Sequence, residues 1–143
     1  MKVAIERLND AFHMQATNEQ GNSIQLDSNP ESGGHDLGFR PMQLMLAGIG
    51  GCSTIDIVDI MKKQRENLED IKVDVTAERE KDKTPALFTS IHLHCKLYGN
   101  ISEDKARRAV ELSMDKYCSV AKILEKSAEI TYDFEVIATK ESV

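Results

Sequence analysis

Hydrophobic positions alternate with polar ones over Val3–Leu8, Ala11–Thr17 and Ser23–Asp27, the period-two signature of strands. Asn9-Asp10 and Asn18–Asn22 supply the turns between them, so the first 27 residues read as an antiparallel meander. Ser28–Gly38 carries Pro30, Gly33, Gly34 and Gly38 and reads as a loop. Pro41 suits the first turn of a helix, which the pattern carries to about Gln64–Asn67. That helix is apolar nearly all round, with Leu44, Met45, Leu46, Ala47, Ile49, Ile55, Ile57, Val58, Ile60 and Met61. A helix of this kind is expected to be buried.

Alternation returns at Ile71–Arg79 and at Leu87–Tyr98, separated by the turn Asp82–Pro85. Ser102 is a good N-cap, with Glu103 and Asp104 in the first turn of a second helix. Ala106, Ala109, Val110, Ser113 and Tyr117 form the expected inner stripe. The helical pattern restarts over Ser119–Lys126, and Ile130, Tyr132, Phe134 and Val136 share one face of a last strand. The order β-β-β-α-β-β-α-β is α+β rather than an alternating α/β arrangement. It predicts a single domain over residues 1–143.

Composition narrows the function. The chain has 143 residues, 41% of them hydrophobic, with a net charge of −6, so a packed core is expected and a basic nucleic-acid surface is not. The apolar run Leu44–Cys52 is about half the length of a membrane span, so no membrane partner is expected. Three cysteines and no secretory pattern suggest a cytoplasmic protein, where a cysteine pair is more often catalytic, redox-active or metal-bound than a structural staple.

The candidate chemistry centres on Gly48-Ile49-Gly50-Gly51-Cys52-Ser53. Glycine costs a helix about 1 kcal/mol relative to alanine. Three in four residues therefore predict close approach of another element near Cys52. Cys118 is the second candidate, 66 residues later. Asp56 and Asp59, at i+4 and i+7 from Cys52, share its helical face. A carboxylate there opposes a thiolate, so either these acids pair with a base or Cys52 is less reactive, and Asp56, which interrupts an apolar stretch, needs a partner of its own. Cys95 alternates with Ile91, Leu93 and Leu97 and reads as core. His92 and His94 on the other face read as a solvated strand surface, and no metal set is expected. Met42, Met45, Met61 and Met114 read chiefly as core filling. Arg107 and Arg108 read chiefly as a solvated helix face.

Three segments carry a resemblance: Pro30–Gly34, the run Pro41-Met42-Gln43-Leu44 to Cys52, and Tyr117-Cys118-Ser119-Val120-Ala121. With the element order, they resemble a divergent branch of the OsmC/Ohr family of thiol-dependent peroxide-reducing proteins, over essentially the whole chain. The resemblance implies an intertwined homodimer, its long central helices wrapped by antiparallel sheets. It also implies a small-molecule hydroperoxide as substrate, with Cys52 attacking the peroxide and Cys118 resolving. No bound cofactor is implied, only an external dithiol reductant. Two family features are missing: Asp10–Met14 holds no arginine, and Met42 stands where a glutamate is usual. Arg40 and Gln43 are the nearest polar replacements. The alternative reading is a binding module of the same fold, holding an apolar ligand or a thiol-linked group at Cys52.

Overall fold

The computed structural model describes residues 1–139, so the last four of the domain expected over 1–143 lie outside the described residues. The chain gathers into two compact units, residues 1–45 and the residues from Leu46 onward.

In the first unit, β1 (Val3–Arg7), β2 (Met14–Asn18) and β3 (Ser23–Leu26) form the expected antiparallel meander in the order β1-β2-β3. The second strand starts later than its alternation suggests. The Asn9 side chain accepts the backbone N–H groups of Ala11 and His13, holding that stretch in a turn. The following loop is organised by Asp27, which is 1% exposed. Its carboxylate accepts the N–H groups of Ser28 at 2.7 Å and of His35 and Leu37 at 3.2 Å each. Burial pushes the Asp27 carboxyl up, but these three donors outweigh it and hold it below its ordinary value. Pro30–Ser32 makes a single 3-10 turn, capped by the Asn29 side chain and by Gly33 in the left-handed region.

Helix α1 runs Pro41–Lys63, as Pro41 predicts. Arg40 donates its backbone N–H to Gln43 Oε1 at 3.0 Å, the glutamine half of a capping box.

In the second unit, β4 (Asp70–Arg79), β5 (Phe88–Tyr98) and β6 (Glu129–Ile137) form a sheet with β5 in the centre. The β4–β5 pair is antiparallel. The β5–β6 pair departs from the all-antiparallel expectation: it is parallel, with Leu93 opposite Tyr132 and Cys95 opposite Phe134. The reason is the connection. Helix α2 (Glu103–Leu112), a π-helical turn (Ser113–Tyr117) and α3 (Ser119–Leu124) carry the chain back to the end where β5 began. Ser102 caps α2 as expected, accepting the Lys105 N–H. Ile91, Leu93, Cys95 and Leu97 are fully buried, confirming the apolar face of β5.

Two faces differ from expectation. Tyr117 is 50% exposed rather than part of the inner stripe, because the π turn adds a residue to the helical repeat just before it. Helix α1 buries only one side within this chain: Ile49, Ser53, Ile57 and Met61 are inside, whereas Ile55 is 71% exposed. By length and mean hydropathy α1 as a whole is apolar enough to cross a membrane, and 22% of its most apolar window is buried in the chain.

The outer face of the second sheet is a ladder of histidines and carboxylates. His94 bonds Asp133 at 2.8 Å and Glu135 at 2.7 Å, and His92 bonds Thr131 at 2.7 Å and Asp133 at 3.0 Å. Asp74 on β4 and Lys96 on β5 also lie on this face. The Asp133 and Glu135 bonds hold His94 above its ordinary value of 6.5 despite some desolvation. Its contribution to stability is therefore full below about pH 6.5 and is lost as pH rises through the raised folded-state value. We expect the urea midpoint of the wild type to fall over that window and that of His94→Gln to fall less. The difference should be under about 1 kcal/mol, as for exposed ion pairs. Equal pH profiles would show that the ladder is not coupled to folding.

Candidate functional site

The second unit brings three of the residues singled out in the sequence together. Cys52 and Asp56 lie one turn apart on α1, and Cys118 joins them from the end of the π turn. Cys52 Sγ, Cys118 Sγ and an Asp56 carboxylate oxygen all lie within 4.8 Å of one another. The chain places Cys118 through an i→i−5 bond, its N–H donating to the Ser113 carbonyl at 2.7 Å. Its Sγ accepts the Ala121 N–H at 3.4 Å, capping α3. All three cysteines are free thiols.

Cys118 is fully buried and Cys52 partly so. Burial pushes the Cys118 thiol up. The Ala121 N–H and the Ser53 hydroxyl oppose this, Cys52 adds to it, and the net is above the ordinary value. Cys118 thus holds its proton more tightly than an ordinary thiol. Cys95 sits apart on the buried face of β5, and burial above all pushes its thiol up to about 11.

Ser53, Ser113 and Met114 were not singled out as polar neighbours in the sequence. Ser53 is fully buried and donates its hydroxyl to the Ile49 carbonyl at 2.7 Å. Its oxygen lies 3.3 Å from Met114 Sδ and 3.6 Å from Cys118 Sγ. The one hydroxyl proton serves one acceptor at a time, so Ser53 accepts from the Cys118 thiol or donates to its thiolate. The Ser113 hydroxyl can donate either to Asp56 Oδ2 at 3.3 Å or to the Ser53 carbonyl at 3.4 Å. A serine directly after the cysteine is the only sequence signal for this arrangement, because the Ser113 and Met114 contacts depend on the π turn.

The partners required for the two acids are therefore of different kinds. Asp59 pairs with Lys63 at 2.9 Å, an ordinary i,i+4 ion pair. Asp56 has the Ser113 hydroxyl. Beside it a cleft of about 370 Å³ is lined by Asp56, Asp59, Ile60, Arg108, Leu112 and Tyr117 among others. Arg108 is thus part of a cleft wall rather than simply a solvated face, while Arg107 pairs with Asp104 at 3.0 Å.

Arg40 and Gln43 belong to the first unit, and their contacts are local. Arg40 pairs with Asp36 at 2.7 Å, and Gln43 caps α1. The glycine cluster has a narrower cause than the sequence suggests. A Cβ on Gly50 would stand 3.0 Å from Val75 Cγ2 of β4, whereas one on Gly48 would make ordinary contact and one on Gly51 would meet nothing. Close packing against β4 accounts for Gly50 alone. Of the methionines, Met61 and Met114 are buried, as core filling requires, while Met45 is 41% exposed.

With this geometry in view, the likeness to known proteins is specific. Residues 33–133 match the family described as OsmC-like protein. Protein YhfA of Escherichia coli (strain K12) is 45% identical over 119 residues, which cover 82% of this chain and 85% of that protein. The structure of a hypothetical protein from Aquifex aeolicus VF5 is similar with a TM-score of 0.83 and 29% identity, covering 97% of each chain. An organic hydroperoxide resistance protein OsmC from Legionella pneumophila shares the fold, with a TM-score of 0.72 and 16% identity over 95% of this chain and 98% of that one. The α+β architecture, the cysteine-centred helix and the match over most of the chain agree, and the protein belongs to the OsmC-like family.

Proposed function

We propose that the protein reduces hydroperoxides with the Cys52/Cys118 pair, in the cytoplasm and as part of oxidative-stress defence. The observation that carries this reading is the approach of two free thiols within 4.8 Å, one partly exposed and the other fully buried. The partly exposed Cys52 thiol can meet a substrate, and the buried Cys118 thiol beside it is placed to condense with the resulting sulfenic acid. The Cys52 thiolate attacks the terminal peroxide oxygen, the O–O bond breaks, and the alkoxide leaves as an alcohol after taking a proton. Cys118 then attacks the Cys52 sulfenic acid. Its proton leaves with the displaced hydroxide as water, and a Cys52–Cys118 disulfide forms. An external dithiol restores both thiols by exchange, so no bound cofactor is needed. Asp56 borders the reacting sulfurs and is the polar neighbour this reading favours. Arg40 and Gln43 enter it only if a second copy of the chain brings them near. Steady consumption of an organic hydroperoxide with a dithiol as the only reductant tests this. Lack of consumption would favour a module that binds an apolar ligand or a thiol-linked group at Cys52.

The partner in this reading is a second copy of the chain. Gly51, Ile55 and Val58 are all exposed and spaced i, i+4, i+7, which places them on one stripe of α1. A small residue followed by apolar ones suits a helix packed against its equivalent. In an isolated chain Gly51→Ala has free space and should stabilise by about 1 kcal/mol. In a dimer closed over this stripe the added methyl should weaken association instead. Sedimentation of the wild type and Gly51→Ala across a concentration series decides between these. A monomeric wild type stabilised by the substitution would remove the dimer.

A further inference from the structure

We propose that the reduced Cys52–Cys118 pair, together with Asp56, is a Zn²⁺ site, and that metal binding and oxidation of the pair exclude one another. The exclusion rests on the peroxide reading above. The site itself does not.

The donor set assembles only in the fold. Helix α1 supplies Cys52 and Asp56 at i and i+4, and the π turn delivers Cys118, so that all three donor atoms fall within 4.8 Å of one another. In a tetrahedral zinc site the sulfurs lie about 2.3 Å and the carboxylate oxygen about 2.0–2.2 Å from the metal, which puts donors roughly 3.5–3.8 Å apart. The three must close by only about 1 Å to reach that geometry. Two thiolates and a carboxylate suit zinc better than magnesium or calcium, which prefer all-oxygen sites. Three protein ligands leave a fourth position for water or another small donor.

The surroundings are those of a supported site. The Ser113 hydroxyl lies 3.3 Å from Asp56 Oδ2 and 3.4 Å from the Ser53 carbonyl, so it can donate to the carboxylate and leaves the other carboxylate oxygen available. The Ala121 N–H at 3.4 Å and the Ser53 hydroxyl oxygen at 3.6 Å are both placed to support Cys118 Sγ as a thiolate. Asp59 already has Lys63 as counter-charge, whereas Asp56 has only a hydroxyl among its bonds in the described residues. A cation beside Asp56 would answer that charge, and Asp56 lines a cleft of about 370 Å³ whose wall also carries Lys63 and Arg108.

The link to redox chemistry follows from atom balance. A zinc-bound dithiolate, one hydroperoxide and two protons yield the Cys52–Cys118 disulfide, an alcohol, water and free Zn²⁺. The sulfurs lose two electrons, the O–O bond gains them, and the metal loses two of its ligands. Zinc occupancy would therefore block peroxide turnover, and peroxide would release zinc.

The test uses the reduced protein without peroxide, titrated with Zn²⁺ against a chromogenic chelator and with Co²⁺ as a spectroscopic substitute. One ion per chain and a thiolate-to-cobalt charge-transfer band are expected. Cys52→Ser and Cys118→Ser should each weaken binding at least about 100-fold, and Ser113→Ala about 10- to 100-fold, as for outer-shell partners of a metal. Cys95→Ser should bind as the wild type does. Binding that survives Cys52→Ser, or that disappears instead in His92→Gln/His94→Gln, would overturn the proposal. So would the absence of the cobalt–thiolate band in a protein whose circular dichroism shows it folded. Zinc binding without a peroxide-driven disulfide would leave the metal site standing and remove the peroxide reading. The reverse result would do the opposite.

Discussion

Cys52→Ser is expected to reduce dithiol-supported hydroperoxide consumption to the uncatalysed background, because a serine hydroxyl forms no appreciable anion near neutral pH and cannot replace the thiolate nucleophile. Cys118→Ser should behave differently. Cys52 keeps its exposure and its neighbours, so the first oxidation proceeds. The sulfenic acid then has no partner within reach, since Cys95 is fully buried on β5 with its thiol pushed up to about 11. Oxidation should stop after one equivalent of peroxide per chain, with the sulfenic acid trapped by a dimedone-type reagent. A pre-steady-state burst followed by steady-state assay separates the two variants. Full turnover in Cys52→Ser would sink the assignment of the nucleophile. Full turnover in Cys118→Ser would show that an external thiol, not Cys118, resolves.

The largest expected effect on stability lies away from the site. Leu93 is fully buried on the central strand, between Val75 of β4 and Tyr132 of β6. Leu93→Ala removes three buried carbons from a position flanked on both sides, where the sheet cannot collapse inward. A loss of about 3 kcal/mol is expected, within the usual span for buried leucine-to-alanine changes. For a domain of this size that corresponds to a fall of roughly 10 °C in melting temperature. Ile55→Ala supplies the contrast, because Ile55 is 71% exposed in the single chain. It should be nearly neutral in a monomer and costly in a dimer closed over the Gly51–Ile55–Val58 stripe. Thermal melts of both variants at two protein concentrations make the comparison. A small change for Leu93→Ala would mean that the core is not centred on β5.

Much of this was legible in the sequence wherever a local rule decides the outcome. Pro41 starts α1, Ser102 caps α2, and alternation marks β4, β5 and β6 within a residue or two. Cys95 is core because its neighbours two residues away on each side are apolar, and the OsmC-like fold followed from the element order and the cysteine-centred helix. What stayed hidden depended on tertiary context. The parallel direction of β6 follows from where the α2–α3 connection ends, not from its own alternation. The π turn exposes Tyr117 and brings Ser113 and Met114 to Ser53 and Asp56, and no composition signal announces an i→i−5 bond. Gln43 carries a further local signal. A glutamine three residues after the cap position is half of a capping box, and that is the bond it makes. The approach of Cys118 to Cys52 across 66 residues was implied only by the family resemblance.

Whether Cys52 and Cys118 form a peroxide-driven redox pair is read by treating the fully reduced protein with a small excess of an organic hydroperoxide and mapping its disulfides by mass spectrometry. Rapid formation of a Cys52–Cys118 bond, reversed by a dithiol, is expected, with Cys95 still a free thiol. Two unmodified thiols at Cys52 and Cys118 after that exposure would contradict it.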